Sequence, residues 1–495
     1  MVSINSNSTA ATLTELAALG AQDTLLTCDP KCSLFQQSYC RITNFAMGEQ
    51  TLQFQGAPSG NNWSAASSLR AEVLRAGDLL GPVYLDFTVS KLPVSTTSVS
   101  DIYMPGIGYG IIEESKVIIG SQEFESCTGE YFMMHDEISR SEGHRASKLI
   151  GDYGSYLRSG AISDVGVAGS QLSAAPSASD EETIQRAIQF SSRTQSIFAP
   201  LPHFWTKHPG NYMNIVGMQY HNMVFEMKTR AFSDLARKIT VAATSGAITL
   251  ASGALPPATA TTGAEGVLSG LSLLAVYVQL DTAERRLKAQ AAQTVRFVYT
   301  QHTSYSTVAS DAASTKQVSN YFNHPVTRFV WGWRSAEAEA SKQWFRFGGF
   351  AGRKALRGGL ALSQEVIPES TQFELSINNN SRVHQAAEYF LYAQPYQSAK
   401  RVPSRIVYSY AIAAHPESED IYSGSMNLSR IDNFVVSFTF RAVGNTDANQ
   451  LGALSTGVAS DTVDPGSTTG KIFFHAETIN FYKQSSGMLG LLFAN

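Results

Sequence analysis

An all-β protein of two consecutive sandwich domains is the fold class that the sequence predicts, and three observations carry that prediction. Apolar residues recur with a period of two in segments well separated along the chain, which sets one face of an extended strand on a core and the other toward water or a partner. Stretches rich in Gly, Pro and Ser punctuate these segments, and no strand–helix–strand pattern repeats. Sandwiches are therefore favoured over Rossmann or TIM-barrel architectures. The chain has 495 residues, more than one hydrophobic core usually organises.

Taken in order, residues 1–23 are polar and then weakly helical over 12–20, and read as an arm. Val83, Leu85, Phe87 and Val89 alternate with Tyr84, Asp86 and Thr88 as a strand does. A helix is expected over 180–193, where Ser179 or Asp180 would cap a first turn holding Glu181 and Glu182. Met223, Phe225 and Met227 alternate against Val224, Glu226 and Lys228, and the join between domains is expected shortly after Met227. The expected partition is an arm at 1–23, a first domain at 24–227 and a second at 228–495. In the second, Phe373, Leu375 and Ile377 mark one strand, and Val436, Phe438 and Phe440 another. Residues 159–178, 242–270 and 444–470 are rich in Ala, Gly, Ser and Thr with almost no aromatic residues, so they read as long surface loops.

Charged residues make up 16% of the chain, against about 25% in an average soluble domain. Lys and Arg number 37 against 41 Asp and Glu, for a net charge of −4. That is no basic footprint of the kind nucleic-acid binders show, so direct contact with nucleic acid is not expected. A large, aromatic-rich, weakly charged chain instead suggests contact with other protein. Of four cysteines, Cys28, Cys32 and Cys40 lie close together and Cys127 is remote. Their C-x3-C and C-x7-C spacings, with no histidine nearby, do not match a zinc motif. Reduced thiols are the expected state, and no metal or cofactor is expected. The first basic residue is Lys31, with no apolar run ahead of it, so no secretory signal is expected. The most apolar window, 266–280, holds 15 residues, short of the roughly 20 that span a bilayer.

No catalytic signature appears. In Gly56-Ala-Pro-Ser-Gly60 and Gly266-Val-Leu-Ser-Gly270 the serine stands one place too late for a nucleophile elbow. Gly106-Ile-Gly-Tyr-Gly110 lacks the last glycine of a dinucleotide fingerprint and reads as a turn. His135-Asp136-Glu137 would point to opposite faces if extended, and reads as a solvated polar turn. Arg346, Arg353, Lys354 and Arg357 suit anions in principle, but a solvated or intersubunit loop is the plainer reading. The carboxylate pairs Glu113-Glu114 and Glu181-Glu182 have no cleft to give them acid and base roles. The sequons at Asn7, Asn62, Asn379 and Asn427 carry little meaning without export. An enzyme is not expected.

Motifs in a fixed order say more. Leu19-Gly-Ala-Gln-Asp-Thr-Leu-Leu-Thr27, then Phe35 and Arg41-Ile-Thr-Asn-Phe-Ala46, resemble the N-terminus of the major capsid proteins of nucleocytoplasmic large DNA viruses. Arg75-Ala-Gly-Asp-Leu-Leu80 is similar to that family's lead-in to a strand, and Ile111 to Gln122 to its next strand pair. Leu201-Pro-His-Phe-Trp205 and Gly217-Met-Gln-Tyr-His221 resemble the family's "L-P-x-F-W … L-Q-Y-H". Tyr277-Val-Gln-Leu-Asp-Thr-Ala-Glu-Arg285, Phe322-Asn-His-Pro-Val326 with Trp331, Gln394-Pro-Tyr-Gln397, Asn427-Leu-Ser-Arg-Ile-Asp-Asn433 and Ser486-Gly-Met-Leu-Gly490 follow in family order. The resemblance covers nearly the whole chain and is nearest in kind to phycodnavirus and iridovirus members, an algal coccolithovirus among them. Cys28, Cys32, the residues after Trp205 and the three small-residue loops depart from the family pattern.

The resemblance implies a double jelly roll, two consecutive eight-stranded antiparallel sandwiches with long surface loops and a few short helices. It also implies a major capsid protein whose homotrimers are pseudo-hexagonal capsomers of an icosahedral shell. Minor capsid and penton proteins are the implied partners, with the inner viral membrane as a further contact, and assembly in the host cytoplasm is implied. A jelly-roll glycan-binding module is the alternative. The implied assembly-signature residues are Asp78, Trp205, Tyr220, His221, Asp281, Arg285, Asn323, Pro325, Arg430 and Asp432. Arg430 and Asp432, two apart, are expected to pair across a buried turn.

Overall fold

The computed structural model describes residues 6–18, 40–56, 66–92, 99–141, 146–153, 189–241, 248–251, 268–308, 315–319, 321–340, 342–351, 366–418, 421–440, 463–464 and 469–493, with isolated positions 27, 29, 30, 35 and 143. Met1–Asn44 form one compact unit and Phe45–Asn495 another. The first unit contains helix α1 (Ser6–Ala17), which begins before the expected segment at 12–20. Most of the helix expected at 180–193 lies outside the described residues.

Sixteen strands of the second unit form two sets of eight. The first set is β1 (Phe45–Gln53), β2 (Ser67–Glu72), β3 (Leu79–Val89), β4 (Ile112–Ile119), β5 (Gln122–Thr128), β6 (Gln195–Pro200), β7 (Met223–Thr229) and β8 (Leu268–Leu280). The second is β9 (Gln293–Val308), β10 (Thr315–Ser319), β11 (Pro325–Ser335), β12 (Ser370–Ile377), β13 (Asn380–Ala386), β14 (Tyr408–Ala411), β15 (Phe434–Phe440) and β16 (Thr469–Ser485). The first set forms sheets in the order β1-β8-β3-β6 and β2-β7-β4-β5; the second forms β9-β16-β11-β14 and β10-β15-β12-β13. Adding eight to each label of the first set reproduces the second, so the halves are two jelly rolls of one strand order.

That order moves the domain boundary. β8 pairs with β1 (Phe45↔Leu280) and with β3 (Leu85↔Leu273), so the first roll runs to Leu280 and the expected join after Met227 falls inside it. The physical reason is register. β8 shifts register against β3 between Ser269 and Ser272 and again between Ala275 and Tyr277, and each irregularity breaks the period of two, so 268–280 reads as an apolar run without clean alternation. The edge-of-loop assignment of 268–270 is corrected by the same pairing.

The loops are shared in a regular way too. Val99–Tyr103, from the β3–β4 connection, pairs with Ala236–Val241 from the β7–β8 connection, which pairs with Ile248–Ala251. In the second roll Gly349–Ala351 and Val366–Ile367, between β11 and β12, join Val463–Asp464, between β15 and β16. Each roll thus builds a small three-stranded sheet from the same two excursions. The rest of 242–267 and 444–468, and all of 159–178, lies outside the described residues.

The alternation expected for β3 is observed: Val83, Leu85, Phe87 and Val89 are buried, and the residues between them half-buried. One core runs through both rolls. At their seam Phe124 and Phe204 of the first roll meet Phe297 and Tyr482 of the second, with Phe204 and Phe297 ring centroids 4.7 Å apart. Helix α2 (Gly129–Ser139) is buried along its whole length, capped by Thr128, whose hydroxyl accepts from Tyr131 N. His135, Asp136 and Glu137 therefore sit in a buried helix, not in the expected solvated turn. Their polarity is matched by partners: Asp136 accepts from Ala146 N, and Glu137 pairs with Arg401 and Arg405 of the second roll. At Gly129 a Cβ would stand 2.4 Å from the Tyr109 carbonyl oxygen, so only glycine lets α2 start there.

Candidate functional site

The signature residues do not line one pocket. Asp78, Tyr220, His221, Asp281 and Arg285 tie distant motifs together at the junction of the two rolls, whereas Trp205 bonds within the first roll and Asn323 and Pro325 within the second. Asp78, nearly buried at the start of β3, accepts from Leu280 N at 2.8 Å and pairs through Oδ1 with Arg285 Nε at 3.0 Å. Its own carbonyl accepts from Ile215 N at 3.0 Å. Asp281 is the N-cap of helix α3 (Thr282–Gln290), accepting from Thr282 N at 2.8 Å, and so begins the link between rolls in a defined direction. The far end of α3 is held as well: Asn214 Nδ2 donates to the Lys288 carbonyl, and Gln484 Nε2 to the Asn214 carbonyl.

Tyr220 and His221 receive the C-terminal hairpin of the second roll. Tyr220 N donates to Gly487 O at 3.0 Å, while its ring is 74% exposed. His221 Nδ1 lies 2.9 Å from Leu489 O and 3.2 Å from Leu489 N. Arg75 donates to Gln219 O at 2.8 Å beneath them. Motifs more than 260 residues apart thus form one joint.

Trp205 is fully buried; its indole N–H donates to Gly81 O at 3.1 Å, and its ring stacks on His203 at 5.2 Å and 4°. His203 is buried too, with Nε2 3.1 Å from Ser115 Oγ and Nδ1 2.9 Å from Glu125 Oε2. In the second roll Pro325 opens β11 opposite Asn427. His324, at φ 67°, donates its N–H to Ser429 Oγ at 2.7 Å, and Asn323 N donates to Gln301 Oε1 at 3.0 Å.

Arg430 and Asp432 depart from expectation. Both are exposed, and no ion pair joins them among the described residues. Arg430 ends a 3₁₀ turn, Leu428–Arg430, so the two residues do not have the two-apart, same-face geometry of a strand. Of the basic segment, Arg346 is buried and donates to Ser335 Oγ at 2.9 Å, contrary to a solvated loop; Arg353, Lys354 and Arg357 lie outside the described residues. Glu113 pairs with Lys228 on the neighbouring strand and Glu114 with Lys116 along its own strand. Gly106 to Gly110 form a buried turn of helix.

The strongest electrostatics of the seam were not foreseen. Glu130 on α2 accepts from Arg230 and from Arg334 of β11, both at 2.8 Å. Burial pushes its carboxyl up, but the Arg230 and Arg334 guanidinium groups outweigh that and hold it at about 2. Arg328 of β11 grips Glu477 of β16 in a two-pronged pair at 2.8 and 2.9 Å, and Tyr131 of α2 donates to the same carboxylate at 2.9 Å. Against the effect of burial, Arg328 and then Lys207 hold Glu477 at about 2. Their only sequence signal is a charge inside an apolar strand, as in Thr327-Arg-Phe-Val-Trp331 and His475-Ala-Glu-Thr-Ile479.

Comparison with known proteins agrees with this architecture. Residues 33–281 match the family described as major capsid protein N-terminus, and 284–490 match the large eukaryotic DNA virus major capsid protein family. The division between the two matches falls where β8 passes into α3. The chain is 24% identical over 497 residues to the major capsid protein of Paramecium bursaria Chlorella virus 1, spanning 98% of this chain and 99% of that protein. It is 25% identical over 512 residues to that of Pyramimonas orientalis virus, spanning 98% and 99%. In fold it is similar to PBCV-1 VP54 (TM-score 0.69, 19% identity, 94% of this chain and 100% of that one). It is also similar to the Faustovirus major capsid protein (TM-score 0.59, 12% identity, 95% and 96%). With both rolls matched in order and the whole length covered, the chain belongs to the major capsid protein family of large eukaryotic DNA viruses, and its role is to build a viral capsid.

Proposed function

We propose that three copies of this chain associate into a pseudo-hexagonal capsomer that tiles an icosahedral shell, and that the role is structural, not catalytic. The observation that carries this reading is the repeated strand order. Two rolls of one topology in each chain give a trimer six similar blocks, which suits a hexagonal outline. In this reading Asp78, Tyr220, His221, Asp281 and Arg285 act as joints that hold the two rolls together, Trp205 braces the first roll, Asn323 and Pro325 brace the second, and Arg430 and Asp432 lie on the surface. The separate unit formed by Met1–Asn44 supports an N-terminal arm reaching neighbouring capsomers, minor capsid or penton proteins, or an inner membrane, with assembly in the host cytoplasm. Against catalysis stands the burial of Ser115, His203 and Glu125: their hydrolase-like spacing gives a substrate no open nucleophile.

Solution mass with negative-stain imaging tests the reading. Trimers of about 161 kDa, three times 53.6 kDa, with a hexagonal outline are expected; a protein that stays monomeric at assembly concentrations overturns it.

A further inference from the structure

We propose that Glu125, Cys127 and His203 form a zinc site inside the seam between the two rolls. A carboxylate oxygen, the thiol sulfur and an imidazole nitrogen of these residues lie within 4.8 Å of one another, and all three residues are buried. Glu125 and Cys127 are two apart on β5 and leave the same face of the strand, while His203 comes from the turn after β6. Thiolate, imidazole and carboxylate are the donor types that zinc takes in tetrahedral sites.

The surroundings are those of a held ligand set. Ser115 Oγ lies 3.1 Å from His203 Nε2; when Nε2 donates to that hydroxyl, Nδ1 presents its lone pair to the cluster, the way metal-bound imidazoles are kept in one tautomer. Glu125 is oriented by two main-chain donors, Phe204 N at 3.1 Å and Thr300 N at 3.3 Å. The Thr300 hydroxyl is within hydrogen-bond reach of the Cys127 thiol, which places it where it can serve as a fourth donor. Charge also closes: one carboxylate and one thiolate neutralise a divalent ion, which a low-dielectric interior requires.

Binding forms a Zn–S bond and releases the Cys127 thiol proton to solvent, and the imidazole proton rests on Nε2. Glu125 and Thr300 also line a cleft of about 400 Å³, with Glu123, Tyr299 and His302 around it. Because Thr300 belongs to β9, the ion would bridge the two rolls. Spacing rules miss such a site, since Cys127 and His203 stand far apart in sequence and only the fold joins them.

The test uses the full chain with Cys28, Cys32 and Cys40 all changed to Ser, which leaves Cys127 as the one remaining thiol of four. After zinc loading and dialysis, about one zinc per chain is expected by elemental analysis, together with a higher Tm than the metal-stripped protein. Cobalt in place of zinc is expected to give thiolate-to-cobalt charge-transfer absorption, lost on adding Cys127→Ser and weakened by Glu125→Gln. A folded triple variant that retains no zinc, or that binds cobalt without thiolate absorption, overturns the proposal. That readout does not depend on whether Cys127→Ser folds.

Discussion

Replacing Glu130 by Gln removes one negative charge from the centre of the seam and leaves two buried cations. The side chain keeps its size. Arg230 stays anchored to the Gly110 and Ile112 carbonyls, each at 2.8 Å, and Arg334 to the Trp344 carbonyl at 2.9 Å. The two guanidinium groups flank the Trp344 ring at 4.2 and 5.0 Å, so neither can swing into water without unpacking it. Breaking a buried pair in this way costs about 3–5 kcal/mol. The carboxyl itself leads to a similar figure. It is displaced from 4.5 to about 2, and at about 1.4 kcal/mol for each pH unit that is about 3 kcal/mol of stability. With the folded value below the unfolded one, this contribution is present above pH 4.5 and is lost as pH falls toward 2. For a chain of this length unfolding as one unit, the expected fall in Tm at pH 7 is about 3–5 °C. Thermal unfolding followed by circular dichroism at pH 7 and at pH 2–3 checks both parts. A fall under about 1 °C at pH 7, or a gap between native chain and variant that does not narrow in acid, refutes the reasoning.

Three further outcomes are expected. Burial, and then the neighbouring His302, hold the His475 imidazole at about 3, so it favours the folded state above pH 6.5 and opposes it increasingly below; Asp136, pushed up to about 6 by its own burial, acts in the opposite sense. Because neither His475 nitrogen has a hydrogen-bond partner among the described residues, His475→Phe is expected to be neutral or stabilising at pH 7 and to flatten the fall in Tm between pH 6.5 and 4; an unchanged pH profile would contradict this. Asp78→Ala strands the Leu280 N–H and is expected to cost about 1–3 kcal/mol, whereas Arg285→Ala, losing a pair whose cation is 62% exposed, is expected to cost under about 1 kcal/mol; denaturant midpoints that reverse this order would count against the joint. Asp432→Ala, at an exposed position, is expected to change stability by less than about 0.5 kcal/mol, and a loss of several kcal/mol in the same assay would restore the buried pair.

Amphipathic strands were legible because one face meets a core and the other does not: Val83 to Val89 and Met223 to Met227 show their period of two directly. β8 was hidden for another reason. Its two register shifts against β3 break the alternation, and with it went the domain boundary. Helix α2 was misread because Glu130, Asp136 and Glu137 look like surface residues until Arg230, Arg334, Arg401 and Arg405 arrive from far along the chain. The joints were half legible. Their residues stood out in motifs, but that Tyr220 and His221 answer Gly487 and Leu489, or Asp78 answers Leu280, was not readable from either motif alone.

By itself the sequence determined the all-β class, the two sandwiches, the family and the low charge of a surface made to meet protein, since these rest on local periodicity, composition and motif order. The tertiary structure alone decided where the first roll closes, which charges are buried as pairs, and that Glu125, Cys127 and His203 meet. Those properties depend on contacts between residues tens to hundreds of positions apart, and such contacts exist only once the sheets have brought them together.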